Sequence, residues 1–325
     1  MRQSAICLII LLILTTTTTG QTPTDSVKQG VRRYIARNFS EARTFNLYWE
    51  KTPFHDYTLM QNGKEIENGE FRHINTVKFS VTVPVLLLKN FSLYANGQFN
   101  SYQFEANNNV NGGKSAIFSQ NDDGYNYYEG TLAGTYRTRI AGKPLILIAT
   151  AFGDGWNKGF GKAQGIFSAI MIFKQSPTTS FSAGLFGMTL YEKIPVIPII
   201  AYTHQFTPDW SIDLTLPSRS YIRYQPNNHR FSMGASLGSE HFYMKPGMKG
   251  IPEVSFFNRT VIKPEIVYEY IINKRFYLIA RSGGSALISG GLYGTNRKGI
   301  DGDPYIKFKQ PMTPFLNVGF SYNIF

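Results

Sequence analysis

Tyr127–Ile140, YYEGTLAGTYRTRI, changes character at almost every residue. Tyr128, Leu132, Tyr136 and Ile140 fall on one side of an extended chain, and Glu129, Thr131, Arg137 and Arg139 on the other. Successive strand side chains point to opposite faces, so this alternation predicts a β-strand with one apolar and one polar face. Charge decides which face meets which surroundings. An Arg on the lipid side near the bilayer midplane costs about 2–4 kcal/mol. The segment therefore predicts a membrane strand with Arg137 and Arg139 inside and Leu132 and Ile140 against lipid. Tyr125, Tyr127 and Tyr128, bunched at one end, suit an interfacial aromatic girdle.

The same rhythm recurs along the chain. In His73–Val83, HINTVKFSVTV, the residues Val77, Phe79, Val81 and Val83 alternate with Thr76, Lys78, Ser80 and Thr82. Arg230–Tyr243 sets Phe231, Met233, Ala235 and Leu237 against Ser232, Gly234, Ser236 and Glu240. Lys263–Ile272 sets Ile266, Tyr268 and Tyr270 against Lys263, Glu265 and Glu269. The last segment, Leu316–Phe325, alternates Leu316, Val318, Phe320, Tyr322 and Ile324 with small or polar residues, and Phe325 falls out of step.

Connections between these segments come in two sizes. The short ones are Lys89–Asn90, Ala141–Pro144, Gln175–Thr179, Thr207–Trp210, Asn227–His229 and Asn273–Arg275. The long ones are Lys51–Glu70, Glu105–Gly124, Gly153–Gln164, Lys245–Phe257 and Gly291–Pro311. Short and long connections in alternation are the organisation of a transmembrane barrel. In hydrocarbon, unpaired backbone groups cost several kcal/mol each, so only helices or closed barrels can span. The expected fold is an all-β, antiparallel up-and-down transmembrane β-barrel of about 14 strands, with 12 as the alternative. The count takes WSIDLTL and SRSYIRYQ as two short strands hinged at Pro217, and the closing strand is expected to pair with RTFNLYWE.

The first residues bound the compartment. Arg2, the apolar run Ala5–Leu14 and the small-residue exit Thr18-x-Gly20 form a secretory signal peptide over 1–20. Its apolar core is too short for a spanning helix, which needs about 20 residues. Cys7, the only cysteine, lies within it, so the exported chain has no disulfide framework. Residues 21–41 then form an N-terminal periplasmic or plug segment, and 42–325 the barrel. In the former, Val27, Val31, Tyr34, Ile35 and Phe39 recur at roughly helical spacing after a capping Asp25 or Ser26, which makes it a plug candidate.

Composition excludes other classes. Aromatics are 15% of the 325 residues and charged residues only 17%. The net charge of +12 is scattered, with no Lys/Arg run beyond Arg32–Arg33, so nucleic acid is not a partner. Such charge suits a protein facing acidic lipid head groups. His55, His73, His204, His229 and His241 show no metal-ligand spacing. Gly153–Gly161, GDGWNKGFG, lacks the ending and context of a phosphate loop and reads as a surface loop. Asn121–Gly124 and Asp301–Asp303 read as turns rather than calcium loops. No catalytic residues, metal or cofactor are implied.

The signal followed by Gln21, the strand RTFNLYWE, the VTVP and LTLP strand ends and the terminal Phe325 together resemble the Bacteroidetes-type, porin-like outer-membrane barrels of unassigned function. The resemblance covers residues 42–325. It implies the outer membrane of a Gram-negative bacterium, contact with its lipid, and handover to the barrel-assembly machinery through the strand ending in Phe325. It brings no activity with it.

The interior is the candidate site. Arg72, Lys78, Arg137, Arg139, Arg219, Arg223, Lys263 and Arg281 are expected there, facing Glu129, Glu240, Glu265 and Glu269. They form either a charge-lined channel or a paired network that fills a narrow barrel. PLILIATAF, GIFSAIMIF and IPVIPIIAY are apolar on both faces, so the inner wall between Leu145 and Tyr202 should be greasy. The expected function is a channel or transporter for a small solute. The alternatives are a structural or surface-interaction barrel whose long loops bind a partner and, third, an outer-membrane enzyme.

Overall fold

Alternating segments need a partner for every backbone N–H and C=O, and here they find it in neighbouring segments. The computed structural model describes residues 43–109, 112–118, 124–188, 196–299 and 303–324. Its strands are β1 (Phe45–Thr52), β2 (His55–Gln61), β3 (Lys64–Leu87), β4 (Phe91–Asn108), β5 (Tyr125–Ile140), β6 (Lys143–Trp156), β7 (Gly159–Gln175) and β8 (Thr179–Met188). They continue as β9 (Val196–Gln205), β10 (Trp210–Leu216), β11 (Arg219–Tyr224), β12 (His229–Met244), β13 (Ser255–Ile272), β14 (Phe276–Gly294), β15 (Ile306–Lys309) and β16 (Thr313–Tyr322). No helix forms among the described residues.

All pairings are antiparallel, and the sheet closes. β1 pairs with β3 from Phe45↔Val81 to Thr52↔Ile74, and with β16 from Phe45↔Tyr322 to Lys51↔Leu316. Beyond β1 and β16, β2 pairs with the other half of β3, β15 with the far end of β14, and β2 with β15. β1–β2 and β15–β16 are thus two bent strands, each broken at a proline, Pro53 and Pro311. Proline has no N–H to offer a ladder. The ring accordingly has fourteen positions, and no edge is left open. β10 and β11 are separate strands meeting at Pro217–Ser218.

Two expected long connections are hairpins rather than loops, and a third, Gly291–Pro311, holds β15. Within Lys51–Glu70 the chain continues as β2 and turns at Asn62–Gly63, both at positive φ (51° and 76°). Asn-Gly is the favoured pair for such a hairpin turn. Gly153–Gln164 is also strand, with Trp156↔Gly159 closing a tight hairpin, so GDGWNKGFG is not a surface loop. Both stretches lack an apolar outer face, which hides their alternation. The plug candidates Val27, Val31, Tyr34, Ile35 and Phe39, the signal segment and Phe325 lie outside the described residues, as do Asn121–Asp123 and Asp301–Gly302.

Exposed Leu47, Val77, Leu132, Phe167, Leu185, Ile200, Met233, Ile266 and Leu316 carry an apolar band around the outside. At the short-turn end the band is bordered by aromatic pairs: Trp210 on Tyr224, Phe231 against Tyr268, and Phe276 against Tyr322. The girdle expected from Tyr125 and Tyr127 is not there. Both are buried on the inner face, and only Tyr128 points out. Side-chain alternation forbids adjacent Tyr127 and Tyr128 from both pointing out, and Tyr125 and Tyr127 share the phase of Glu129.

Close strand approach makes one glycine indispensable. A Cβ on Gly234 of β12 would lie 1.9 Å from the Ser220 carbonyl oxygen and 2.9 Å from Tyr221 Cα. Gly234→Ala is expected to lower stability by about 1–3 kcal/mol through overpacking, read as a lower urea midpoint of the barrel folded in detergent micelles.

Candidate functional site

Strand phase places the charged residues. In the β12–β13 ladder Arg230↔Glu269, Gly234↔Glu265, Ser236↔Lys263 and Glu240↔Arg259 share the inner face. Lys78, Glu129, Arg137, Arg139, Arg219, Arg223 and Arg281 are inward by the same registers. Arg72 is not. The β3–β4 ladder slips between Arg72 and Asn75, where His73 has φ 51°, and a one-residue slip flips every side chain beyond it. Arg72 therefore lies outside, its side chain 53% exposed and paired with Glu70. Phe71 and Ile74, both buried inside three residues apart, mark that slip.

Four buried ionic clusters bind the inner face together. Glu240 accepts from Arg259 Nε at 2.9 Å and from Lys263 at 3.4 Å, with Lys78 Nζ at 3.8 Å. Lys263 also donates to Glu50 Oε1 at 2.7 Å, and Asn317 donates to Glu50 Oε2 at 3.2 Å. Nearer the short turns Glu269 pairs with Arg43 (2.6 Å) and Arg230, and the Arg43 guanidinium stacks on Tyr277. On β10–β11, Asp213 holds Arg219 at 2.9 Å and Arg223 at 2.7 Å. Glu265 accepts from Tyr221 and Ser236, with Arg281 4.0 Å away. Buried ions are tolerable only when paired like this.

Sequence reading missed Glu50, Asp213, Arg43, Arg230 and Arg259 as members. Arg259 keeps the phase of Lys263 and Glu265 on β13 and so had a signal, but it stands only two residues past the expected Lys245–Phe257 connection. Asp213 and Glu50 had a signal, the alternation of WSIDLTL and NLYWE.

Strands meet across the interior at the long-loop end. β5 and β12 stand seven places apart around the ring, yet their walls meet. Tyr125 stacks on Phe242 with ring centres 4.4 Å apart, and Tyr127 packs edge-on against His241 at 4.4 Å. Tyr243 donates to Asp154 Oδ1 at 2.6 Å, Tyr127 to Oδ2 at 3.0 Å, and Arg297 adds an ion pair. At that end this line of contact separates two lobes of the interior.

The lobe behind β12–β16 and β1–β4 is filled. The Glu240 cluster occupies it, and beyond lies an aromatic core of Phe71, Tyr102, Phe242, Phe257 and Phe308, joined by Ile117, Phe118 and Ile251 from the long connections. Beyond the apolar outer band, Tyr57 donates to Glu67 at 2.5 Å. Burial, and then that bond, pushes its phenol well above its usual range.

The lobe behind β6–β9 differs. Register puts Ile146, Ile148 and Phe152 of β6 inward, then Ile170 of β7, Phe186 of β8, and Ile197 and Ile199 of β9. This is the greasy wall expected between Leu145 and Tyr202. All seven side chains stay half-buried, whereas Glu50, Glu240, Lys263 and Glu269 opposite are buried.

The histidines build no centre. His55 bonds to the Pro53 carbonyl, His204 to Thr179 and His229 to Tyr268. Among the described residues no group of three His, Cys, Asp or Glu side chains converges as a metal site.

Fold and interior together define a transmembrane β-barrel with one filled and one apolar lobe. No family model matches the chain, and no curated protein does. Among solved structures, an outer-membrane channel from Pseudomonas putida F1 shares 8% identity at a TM-score of 0.39, covering 86% of this chain and 93% of that one. The β domain of the Bordetella autotransporter BrkA shares 10% at 0.32, covering 86% and 100%. The Pseudomonas putida toluene transporter TodX shares 8% at 0.31, covering 86% and 89%. At these values the likeness carries no function to this chain.

Proposed function

We propose that the protein is an outer-membrane channel or transporter that moves a small solute across the outer membrane of a Gram-negative bacterium, through the lobe lined by β6–β9. The observation that carries this is the unequal filling of the interior. A barrel serving only as a scaffold has no use for four neighbouring strands whose inward Ile and Phe side chains stay half-buried, which costs hydrophobic free energy at about 25 cal/mol per Å² left in water. Resemblance to Bacteroidetes-type barrels, an exported chain and assembly through the terminal strand belong to the same reading.

A loop-binding barrel is less well supported. Ile117, Phe118 and Ile251 of the described long connections are turned into the mouth and buried, which leaves them unable to meet a partner, while Phe54 and Phe160 stay exposed.

Planar-bilayer recording tests the proposal. The parent barrel is expected to conduct, and Ile148→Trp with Ile170→Trp to lower single-channel conductance severalfold by filling the lobe. A folded barrel that stays silent would overturn the proposal in favour of a structural role.

A further inference from the structure

Inward cations of this barrel are of two kinds. Lys78, Arg219, Arg223, Arg230, Arg259, Lys263 and Arg281 each have a carboxylate within 4.0 Å. Arg137 and Arg139 have none among the described residues: Arg137 Nη1 reaches only Ser92 Oγ, at 3.4 Å. Both are exposed. They sit two residues apart on one face, about 7 Å along the strand, so each raises the cost of the other's charge. A negative group between them would relieve that repulsion.

Their position is specific. Arg137 is opposite Ile146 and Arg139 opposite Pro144. Ile146 is opposite Ile170, Ile170 opposite Gly184, and Gly184 opposite Ile199. The arginines thus stand at the short-turn end of the apolar wall. From Ile146 to Phe152 that wall runs about 20 Å, at about 3.3 Å per residue. A hydrocarbon would use the wall and leave the arginines without purpose. An inorganic anion would use the arginines and leave the wall wet.

We propose that this lobe binds an amphipathic monoanion, a carboxylate carrying an extended alkyl chain. The carboxylate sits between Arg137 and Arg139, and the chain lies along Ile146, Ile148, Ile170 and Ile199. The inference rests on the conduit reading and names its solute class. Charge-assisted bonds from a guanidinium to a carboxylate supply the head-group selectivity, and the wall supplies affinity without direction.

The test uses the full chain in lipid nanodiscs and two probes: dodecanoate with a diazirine near its terminal carbon, and the methyl ester of the same molecule. The acid is expected to label inner residues of Leu145–Phe152 or Gly165–Phe173, and free dodecanoate to compete. Arg137→Gln with Arg139→Gln should weaken labelling by the acid at least about tenfold and leave the weaker labelling by the ester unchanged. Neither arginine has an ion pair among the described residues, so the variant should keep its native mobility. Equal labelling by acid and ester, labelling confined to outward Leu147 and Phe167, or labelling seen only after removal of residues 21–41 would each overturn the inference. Acid-specific labelling in a barrel silent in bilayers would retain the site and sink the conduit. Conduction with no preference for the acid would do the reverse.

Discussion

Glu240→Ala is expected to destabilise the folded barrel by about 3–5 kcal/mol, the cost of removing one partner from a buried ion cluster. Glu240 is 4% exposed and stands among Arg259, Lys263 and Lys78. Removing it strands the Arg259 guanidinium in a lobe closed by Tyr102, Phe242 and Phe257, while Lys263 keeps Glu50. Glu240→Gln, which retains an acceptor but no charge, should fall between. Adding Arg259→Met to Glu240→Ala should recover part of the loss, because the uncompensated charge goes with it. The measurement is urea unfolding of the four proteins in lipid. A loss under about 0.5 kcal/mol, the range of ordinary surface changes, would show that this lobe is wet and not filled.

The second large effect separates two adjacent residues. Leu132 is 52% exposed on the outer face of β5, and Thr131 faces inward beside Glu129. Leu132→Arg should cost about 2–4 kcal/mol, as for a cation on the lipid face. Thr131→Arg enters an interior that already holds Arg137 and has Glu129 at hand, and should change stability by about 0.5 kcal/mol or less. Refolding into vesicles followed by denaturant titration reads both. Equal costs would mean that the band around Leu132 does not meet hydrocarbon.

Most of the ring was legible because one side of each strand must be apolar where lipid touches it. β5, β12, β13 and β16 announce themselves through residues such as Leu132, Met233, Ile266 and Leu316. The signal fades beyond the lipid: Tyr57 and Leu59 point inward on β2, but Asp56 and Thr58 opposite them are polar, so that strand looked like a loop. Local phase slips are equally invisible, and His73 alone reverses the face of Arg72. The greasy wall was legible because β6, β7 and β9 carry Ile, Leu and Phe in both phases. That β5 and β12 touch was not, since it depends on which rings meet across the interior, Tyr125 with Phe242 and Tyr127 with His241. Division into a filled and an apolar lobe follows from that contact, and no single segment encodes it. The charge clusters sit between these extremes: Glu240, Lys263 and Glu269 show their phase within one strand, but their partners Glu50, Arg259 and Arg43 come from others.

Orientation of every side chain on a closed ring is the claim from which the two lobes, the ion clusters and the proposed solute path all follow. Single cysteines placed one at a time from Thr131 to Tyr136 in a Cys7-free chain test it most directly, because no other thiol is present. Cysteines at Leu132, Gly134 and Tyr136 should react with a membrane-soluble maleimide in vesicles and resist a charged one. Those at Thr131, Ala133 and Thr135 should show the opposite preference. Loss of the two-residue alternation, or alternation in the reverse phase, would contradict the account.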